Sequence, residues 1–123
     1  MGNVADSLKA SMEIDGALGV ALVDYNSGMT LGTGGGGPDL DLEVAAAGTT
    51  EVIRAKMKTM SRLGLDDKIE DILVTLGTQI HLLRMMSSAS GEGLFIYLCL
   101  DKSRANLAMA RRELQNIERG LNI

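Results

Sequence analysis

Seven consecutive apolar residues near the C-terminal end constrain the fold more than any other feature of the sequence. The run is Leu94-Phe-Ile-Tyr-Leu-Cys-Leu100. It is far shorter than the roughly 20 residues that a membrane-spanning helix requires, so the sequence predicts no membrane insertion. A strand that is apolar on both faces belongs in the middle of a sheet that is covered on both sides. We therefore expect a central strand over residues 94–100.

The composition indicates a globular chain. At 123 residues, 46% hydrophobic and 23% charged, it fits a single domain over residues 1–123. Its first fifteen residues carry Asp6, Glu13 and Asp15 and lack the basic start of a secretory signal. The single cysteine, Cys99, has no internal partner for a disulfide. We expect a cytoplasmic location.

The net charge argues against a nucleic-acid partner. Lys and Arg number 12 against 16 Asp and Glu, which gives a net charge of −4. A polyanion is bound by proteins of the opposite charge balance. With no Trp, one Phe and two Tyr, the chain also has few aromatic platforms for stacking bases.

The first third of the chain reads as a helix followed by a hairpin. Val4, Leu8 and Met12 recur every four residues, which places them on one helix face. The predicted elements are a helix over 4–12, strands over 16–23 and 29–33 joined by a turn at 24–28, and a mobile loop at Gly34–Gly37.

The longest predicted element is a helix over residues 40–63. Pro38 and Asp39 supply its start signal, and Gly64 is placed to end it in a left-handed conformation. The core stripe comprises Leu42, Ala46, Ile53, Met57 and Met60. A second face of small residues comprises Ala45, Gly48, Val52, Ala55 and Thr59. Two apolar faces are more than a monomer of this size requires, so we expect a homodimer.

The second half predicts three strands and a helix. The strands cover residues 71–76, 79–86 and 94–100, with a turn at Gly77-Thr78 and a polar loop over 87–93. Ser103 is predicted to cap the last helix, whose apolar positions are Leu107, Ala110, Leu114, Ile117 and Leu121. The predicted fold class is α+β: a five-stranded antiparallel sheet with helices on both faces, in the order α-β-β-α-β-β-β-α.

The glycine run at residues 32–37 satisfies the pattern G-x-G-x-x-G between a strand and a helix. The strand before it belongs to a hairpin, Pro38 delays the helix, and no G-K-[ST] follows. We therefore favour a flexible linker over a phosphate-binding loop, and no cofactor is expected.

Other reactive side chains indicate no catalytic or metal site. His81 lies between Ile80 and Leu82, which predicts a half-buried sheet position. Cys99 lies in the most apolar strand, where burial raises the pKa of a thiol. The acidic residues are Asp66, Asp67, Glu70 and Asp71, and their pattern is typical of a solvated turn. The methionines Met57, Met60, Met85 and Met86 are interpreted as core filler.

A basic group on the long helix leaves two interpretations open. Arg54, Lys56, Lys58 and Arg62 lie in a segment, residues 52–65, that contains no acidic residue. Cations near a helix C-terminus complement the helix dipole, which explains Arg62 but extends poorly to Arg54. An acidic protein partner would explain the whole group.

Three segments resemble the Roadblock domain family, the dynein light chain and GTPase-regulator superfamily, of the prokaryotic small-GTPase-regulator type. They are residues 15–28, which include the run Gly-Ala-Leu-Gly-Val-Ala-Leu-Val, the hairpin over 69–86, and residues 93–108, where the closing strand leads into the last helix. The individual motifs are soft hydrophobic patterns, but their order and spacing agree over nearly the whole chain.

The resemblance implies a non-enzymatic, profilin-like domain. It would dimerise through the long helix and the following strand, which carries Ile72 and Val74, to make one continuous sheet. Family members bind or regulate small Ras-like GTPases, or act as adaptors in motor and signalling assemblies, so both functions are carried forward. The partner-binding residues carried over are Glu51, Arg54, Lys58 and Arg62, with an arginine finger from Arg54 or Arg62 as an open option. The glycine-rich residues 34–37 depart from the family pattern.

Overall fold

The architecture follows from a computed structural model that describes residues 3–87 and 91–121. The helices are α1 (Val4–Met12), α2 (Leu42–Arg62) and α3 (Leu107–Gly120). The strands are β1 (Ala17–Asp24), β2 (Thr30–Gly35), β3 (Asp71–Thr75), β4 (Gln79–Met85) and β5 (Leu94–Asp101). The predicted α+β class and element order are confirmed, and the bounds differ by one or two residues at most ends.

The five strands form one antiparallel sheet in the order β2-β1-β5-β4-β3. The apolar run forms β5, which lies between β1 and β4 and whose residues 95–100 are all buried. This confirms the central position expected from its composition. β2 and β3 are the two edges of the sheet. Within the described ranges, no helix is long and apolar enough to cross a membrane.

Helices cover both faces of the sheet. One face is closed by α1 and α3, and its buried core comprises Ile14, Val20, Leu22, Ile80, Leu82, Ile96, Leu98, Leu100, Ala110, Leu114 and Leu121. The other face is closed by α2, and its buried core comprises Ala21, Val23, Leu42, Ala46, Ile53, Leu83, Phe95, Tyr97 and Cys99. The alternation of β1, β4 and β5 side chains between the two clusters follows from the two-residue period of a strand.

Two predicted helix starts are wrong. α2 begins after Asp41, whose carboxylate accepts hydrogen bonds from the amides of Glu43 and Val44, so Pro38 and Asp39 lie outside the helix. α3 begins after Asn106 and not after Ser103. Ser103 instead donates its amide and hydroxyl to the Asp101 carboxylate, and these hydrogen bonds lower the pKa of Asp101. Local side-chain bonds of this kind compete with helix capping.

The predicted left-handed end of α2 is confirmed. Gly64 has a φ of +70°. Its amide bonds to the Ser61 carbonyl at 3.1 Å, and the Leu65 amide bonds to the Met60 carbonyl at 3.0 Å. This pair of bonds is the Schellman arrangement, which satisfies carbonyls at the end of the helix.

The glycine run is not the mobile loop that was predicted. Gly34 and Gly35 belong to β2, where they pair with Val20 and Gly19. A β-carbon on Gly32 would lie 2.8 Å from Leu8, and one on Gly35 would lie 2.5 Å from Met12. Glycine at these positions therefore allows α1 to approach the edge strand closely.

Candidate protein-interaction surface

The orientation of α2 leaves part of one sheet face open. The helix packs closely against β1 and β2, and the Thr30 hydroxyl of β2 donates to the Glu43 carboxylate at 2.9 Å. One flank of α2 therefore faces the β2 edge. Successive residues of a helix are about 100° apart, so Ala45, two residues after Glu43, lies on the opposite flank of α2. That flank faces the β3 edge of the sheet. Half-buried residues on that side of the sheet are Ile72, Val74, Gln79 and His81.

The predicted small-residue face lies along this open flank. Gly48, Val52, Ala55 and Thr59 are exposed and Ala45 is half-buried. Val52 is 44% exposed, and a β-carbon on Gly48 would have nothing within 4 Å. The face therefore has no cover within the described chain, and its low relief allows a second helix to approach closely.

Val44 extends this face by one turn and was missed from the sequence. It is 68% exposed. Its spacing of four residues before Gly48 was the available signal, since residues four apart share a helix face.

The edge strand β3 adjoins the same flank. Its only partner in the described sheet is β4. Ile72 and Val74 pair with Leu83 and His81, so both side chains lie on the α2 side. The structure therefore brings together the predicted dimer residues of the helix and those of the strand.

The predicted partner-binding residues form one exposed stripe. Glu51, Arg54, Lys58 and Arg62 are spaced by three, four and four residues, and all are exposed. Within residues 3–87 and 91–121 none of the four forms an ion pair. The stripe lies on the solvent side of α2, beside the small-residue face.

Lys56 does not belong to this stripe. It points about 200° away from Arg54 on a helix, towards the β3 flank. The basic group predicted from the sequence is therefore divided between two surfaces. Arg54, Lys58 and Arg62 remain together.

His81 and Cys99 occupy the half-buried and buried positions predicted for them. The His81 Nε2 atom lies 2.9 Å from Gln79 Oε1, and its ring meets Tyr97 edge-on with centroids 5.4 Å apart. Burial lowers the pKa of His81 and raises the pKa of Cys99 and of Tyr97. A thiol with a raised pKa is a poor nucleophile at neutral pH.

The acidic residues do not behave as one group. Asp66, Asp67 and Glu70 are exposed, but Asp71 accepts two hydrogen bonds from Arg111 at 2.9 and 3.1 Å. No cluster of metal-ligating side chains occurs in the part of the chain that the structure describes. The interpretation as a solvated turn is therefore wrong for Asp71.

Asp71 leads into a buried ionic network that sequence reasoning missed. Arg84 Nη1 lies 3.8 Å from Asp71, and Arg84 Nε lies 3.5 Å from the fully buried Glu118. Glu118 also accepts hydrogen bonds from the amide and hydroxyl of Ser87. No local pattern links residues 71, 84 and 118, because only the tertiary fold brings them together.

The methionines are half-buried, as expected for filler, but they also border a groove. Met57, Met60, Met85 and Met86 line a groove of about 660 Å³ between the end of α2 and the sheet. Charged residues at the same groove are Asp67, Lys68 and Glu92. The groove is open and of mixed polarity.

Comparisons with known proteins identify the fold. No protein-family model matches the sequence, and no curated protein matches it. Among solved structures, a Roadblock/LC7 domain from Streptomyces avermitilis superposes with a TM-score of 0.79 at 13% identity, covering 96% of this chain and 93% of that one. MglB from Myxococcus xanthus gives 0.73 at 16% identity, covering 92% and 77%. A structure described as MglB with tetrameric arrangement gives 0.77 at 15% identity, covering 93% and 81%. The chain therefore has the fold of a Roadblock-type domain.

Proposed function

We propose that this chain is a non-enzymatic, homodimeric module that binds a small Ras-like GTPase and regulates it. The observation that carries the proposal is the alignment of the uncovered small-residue face of α2 with the edge strand β3. The Roadblock resemblance supplies the class of partner. The free thiol of Cys99 is consistent with a reducing compartment, and we place the module in the cytoplasm.

Self-association is supported by the chemistry of that flank. Val44 and Val52 are exposed on the helix, while Ile72 and Val74 are half-buried on the strand. A second copy related by twofold symmetry would cover the helix face and extend the sheet at β3. The similar fold of a protein with a tetrameric arrangement adds support for self-association.

The partner surface is assigned to Glu51, Arg54, Lys58 and Arg62. This stripe stays on the solvent side of α2 when the neighbouring small-residue face is covered. Binding there would shift the conformational equilibrium of the GTPase switch segments without supplying chemistry. The alternative is an arginine finger, in which Arg54 or Arg62 would stabilise the transition state of the partner's own reaction.

The dimer is tested by light scattering over a dilution series. Gly48→Arg introduces a bulky cation where a β-carbon has nothing within 4 Å in the protomer. We expect wild type to be dimeric and Gly48→Arg to be monomeric but folded. Gly120→Arg is the matched control, since Gly120 is also helical, exposed and open, yet lies on α3. A wild-type monomer at micromolar concentration would contradict the proposed dimer.

Regulation is tested with purified Ras-like GTPases from the same genome. We expect one of them to bind and to change its rate of GTP hydrolysis. Arg54→Glu/Lys58→Glu should abolish binding while the mass by light scattering stays that of the dimer. Arg112→Glu/Arg119→Glu, which changes two exposed arginines of α3, is the charge-matched control. Unchanged affinity of the double variant would remove the assigned surface, and binding with no effect on hydrolysis would favour the adaptor function.

A further inference from the structure

His81 lies on the part of the sheet that the helix of its own protomer leaves open. Its side chain points to the α2 side, opposite Val74 on β3 and Cys99 on β5. The close backbone packing of α2 is with β1 and β2, at the far side of the sheet. His81 therefore belongs to the part of the sheet surface that lies beside the small-residue face of α2 and that α2 does not cover.

We propose that His81 makes self-association of this chain sensitive to pH, because a second copy covers the neutral ring and protonation of the ring opposes that covering. This inference rests on the proposed homodimer. The helix of the second copy would lie over Ile72, Val74 and His81 when the two β3 strands meet, which removes water from the exposed part of the imidazole.

The surroundings of the ring favour its neutral form. Burial already lowers the pKa of His81 in the single protomer. Gln79 Oε1 at 2.9 Å accepts from a ring N–H in either protonation state, and the Tyr97 ring packs edge-on against the imidazole, so neither contact supplies a negative charge. Covering the site would increase the cost of holding a charge there.

Among the residues that the structure describes, the charged and titratable groups around His81 form no ion pair with it. On β5 these are Tyr97 and Cys99, whose neutral forms are favoured by burial, and Asp101, whose carboxylate is held by Ser103. On β3, Val74 faces the ring, and Asp71 lies on the opposite face of the sheet. On α2, the end level with His81 is the start at Leu42, which lies against Gly19, the partner of Cys99. Lys56 lies next to Met57, which lines the groove with Met85 near the other end of the helix.

Proton linkage gives the direction in which pH changes the dimer equilibrium. If the dimer disfavours protonation more than the monomer does, acidification through the histidine range shifts the equilibrium towards monomers. Each dimer contains two copies of His81, so the two effects multiply. We expect the Kd of the dimer to rise by about tenfold to a hundredfold between pH 8 and pH 5.5.

The test is sedimentation equilibrium at several pH values for wild type, His81→Gln and His81→Thr. Both substitutions keep a neutral polar side chain, so a folding defect in one leaves the other as the probe. We expect the Kd of wild type to rise on acidification and that of the variants to change by less than about twofold. Equal pH dependence in wild type and both variants would overturn the inference while leaving the dimer intact. Monomers at every pH would overturn the proposed dimer, and the inference with it.

Discussion

On one face of the sheet α1 and α3 lie side by side, whereas on the other face α2 lies alone near the β1 and β2 edge. The first face is closed within the protomer by close helix packing on glycines and by a buried ionic network. The second face keeps an open flank of small and half-buried residues. The sheet is therefore closed within the protomer on one side, whereas the other side keeps the uncovered flank to which we assign self-association.

The largest expected effect concerns the ionic network of the closed face. Arg84→Met removes the cation beside Glu118, whose side chain is 0% exposed. Leaving that charge buried without its partner should lower the free energy of unfolding by about 3–5 kcal/mol. Urea unfolding followed by circular dichroism measures this loss.

Two further variants serve as the control and the rescue for Arg84→Met. Arg112→Met replaces an exposed arginine of α3 and should change the free energy of unfolding by less than about 0.5 kcal/mol. Arg84→Met/Glu118→Leu should recover much of the loss, because no buried charge remains. A single variant as stable as wild type would show that the network does not hold the closed face together.

The next effect contrasts glycines on the two faces. Gly35→Ala places a β-carbon 2.8 Å from the Leu18 carbonyl at a φ of +67°. We expect a loss of about 2–3 kcal/mol from strain and repacking of α1. Gly48→Ala on the open flank should instead raise the stability of the protomer by up to about 1 kcal/mol. Equal effects at both glycines would remove the distinction between the faces.

A smaller effect is expected at the end of α2. Gly64→Ala keeps open space around the new β-carbon but retains a φ of +70°. The left-handed conformation alone should cost about 1–2 kcal/mol. Thermal unfolding compared with Gly77→Ala, which also has open space but no positive φ, isolates that cost. A change no larger than that of the control would mean that the helix ends in another conformation.

The smallest effect is the pH dependence of the protomer itself. In the unfolded chain His81 binds a proton near its ordinary pKa of about 6.5, whereas burial lowers its pKa in the folded protomer. The stabilising contribution is therefore complete above that value and decreases as the pH falls below it. Urea unfolding of the Gly48→Arg monomer, with and without His81→Gln, measures the difference. Identical pH profiles would exclude the contribution.

Local patterns were sufficient for the elements whose cause is local. The apolar run of β5, the hairpin signal at Gly77-Thr78 and the left-handed end at Gly64 depend on neighbouring residues. The small-residue face of α2 was also predictable, because helical spacing determines which residues share a face. The same spacing also indicated Val44, although that residue was missed, and the structure added the measured exposure of the face.

Two of the errors occurred where distant residues decide the outcome. The glycine run becomes ordered because α1 packs against it, which no property of the run itself indicates. The error at Ser103 is local, because the carboxylate of Asp101, two residues earlier, accepts from the amide and hydroxyl of Ser103. Asp71, Arg84 and Glu118 meet only after β3, β4 and α3 have assembled.

The placement of α1 and α3 on one face of the sheet has a practical consequence for immobilising the protein in binding measurements. Val4 begins the first helix and Gly120 ends the last, and these helices pack against each other on the side of the sheet away from α2. An affinity handle, fluorophore or fused carrier attached next to either helix would sit behind the sheet. Immobilised in this way on a sensor chip, the molecule would display α2 outwards, whichever of the two helices lies next to the handle.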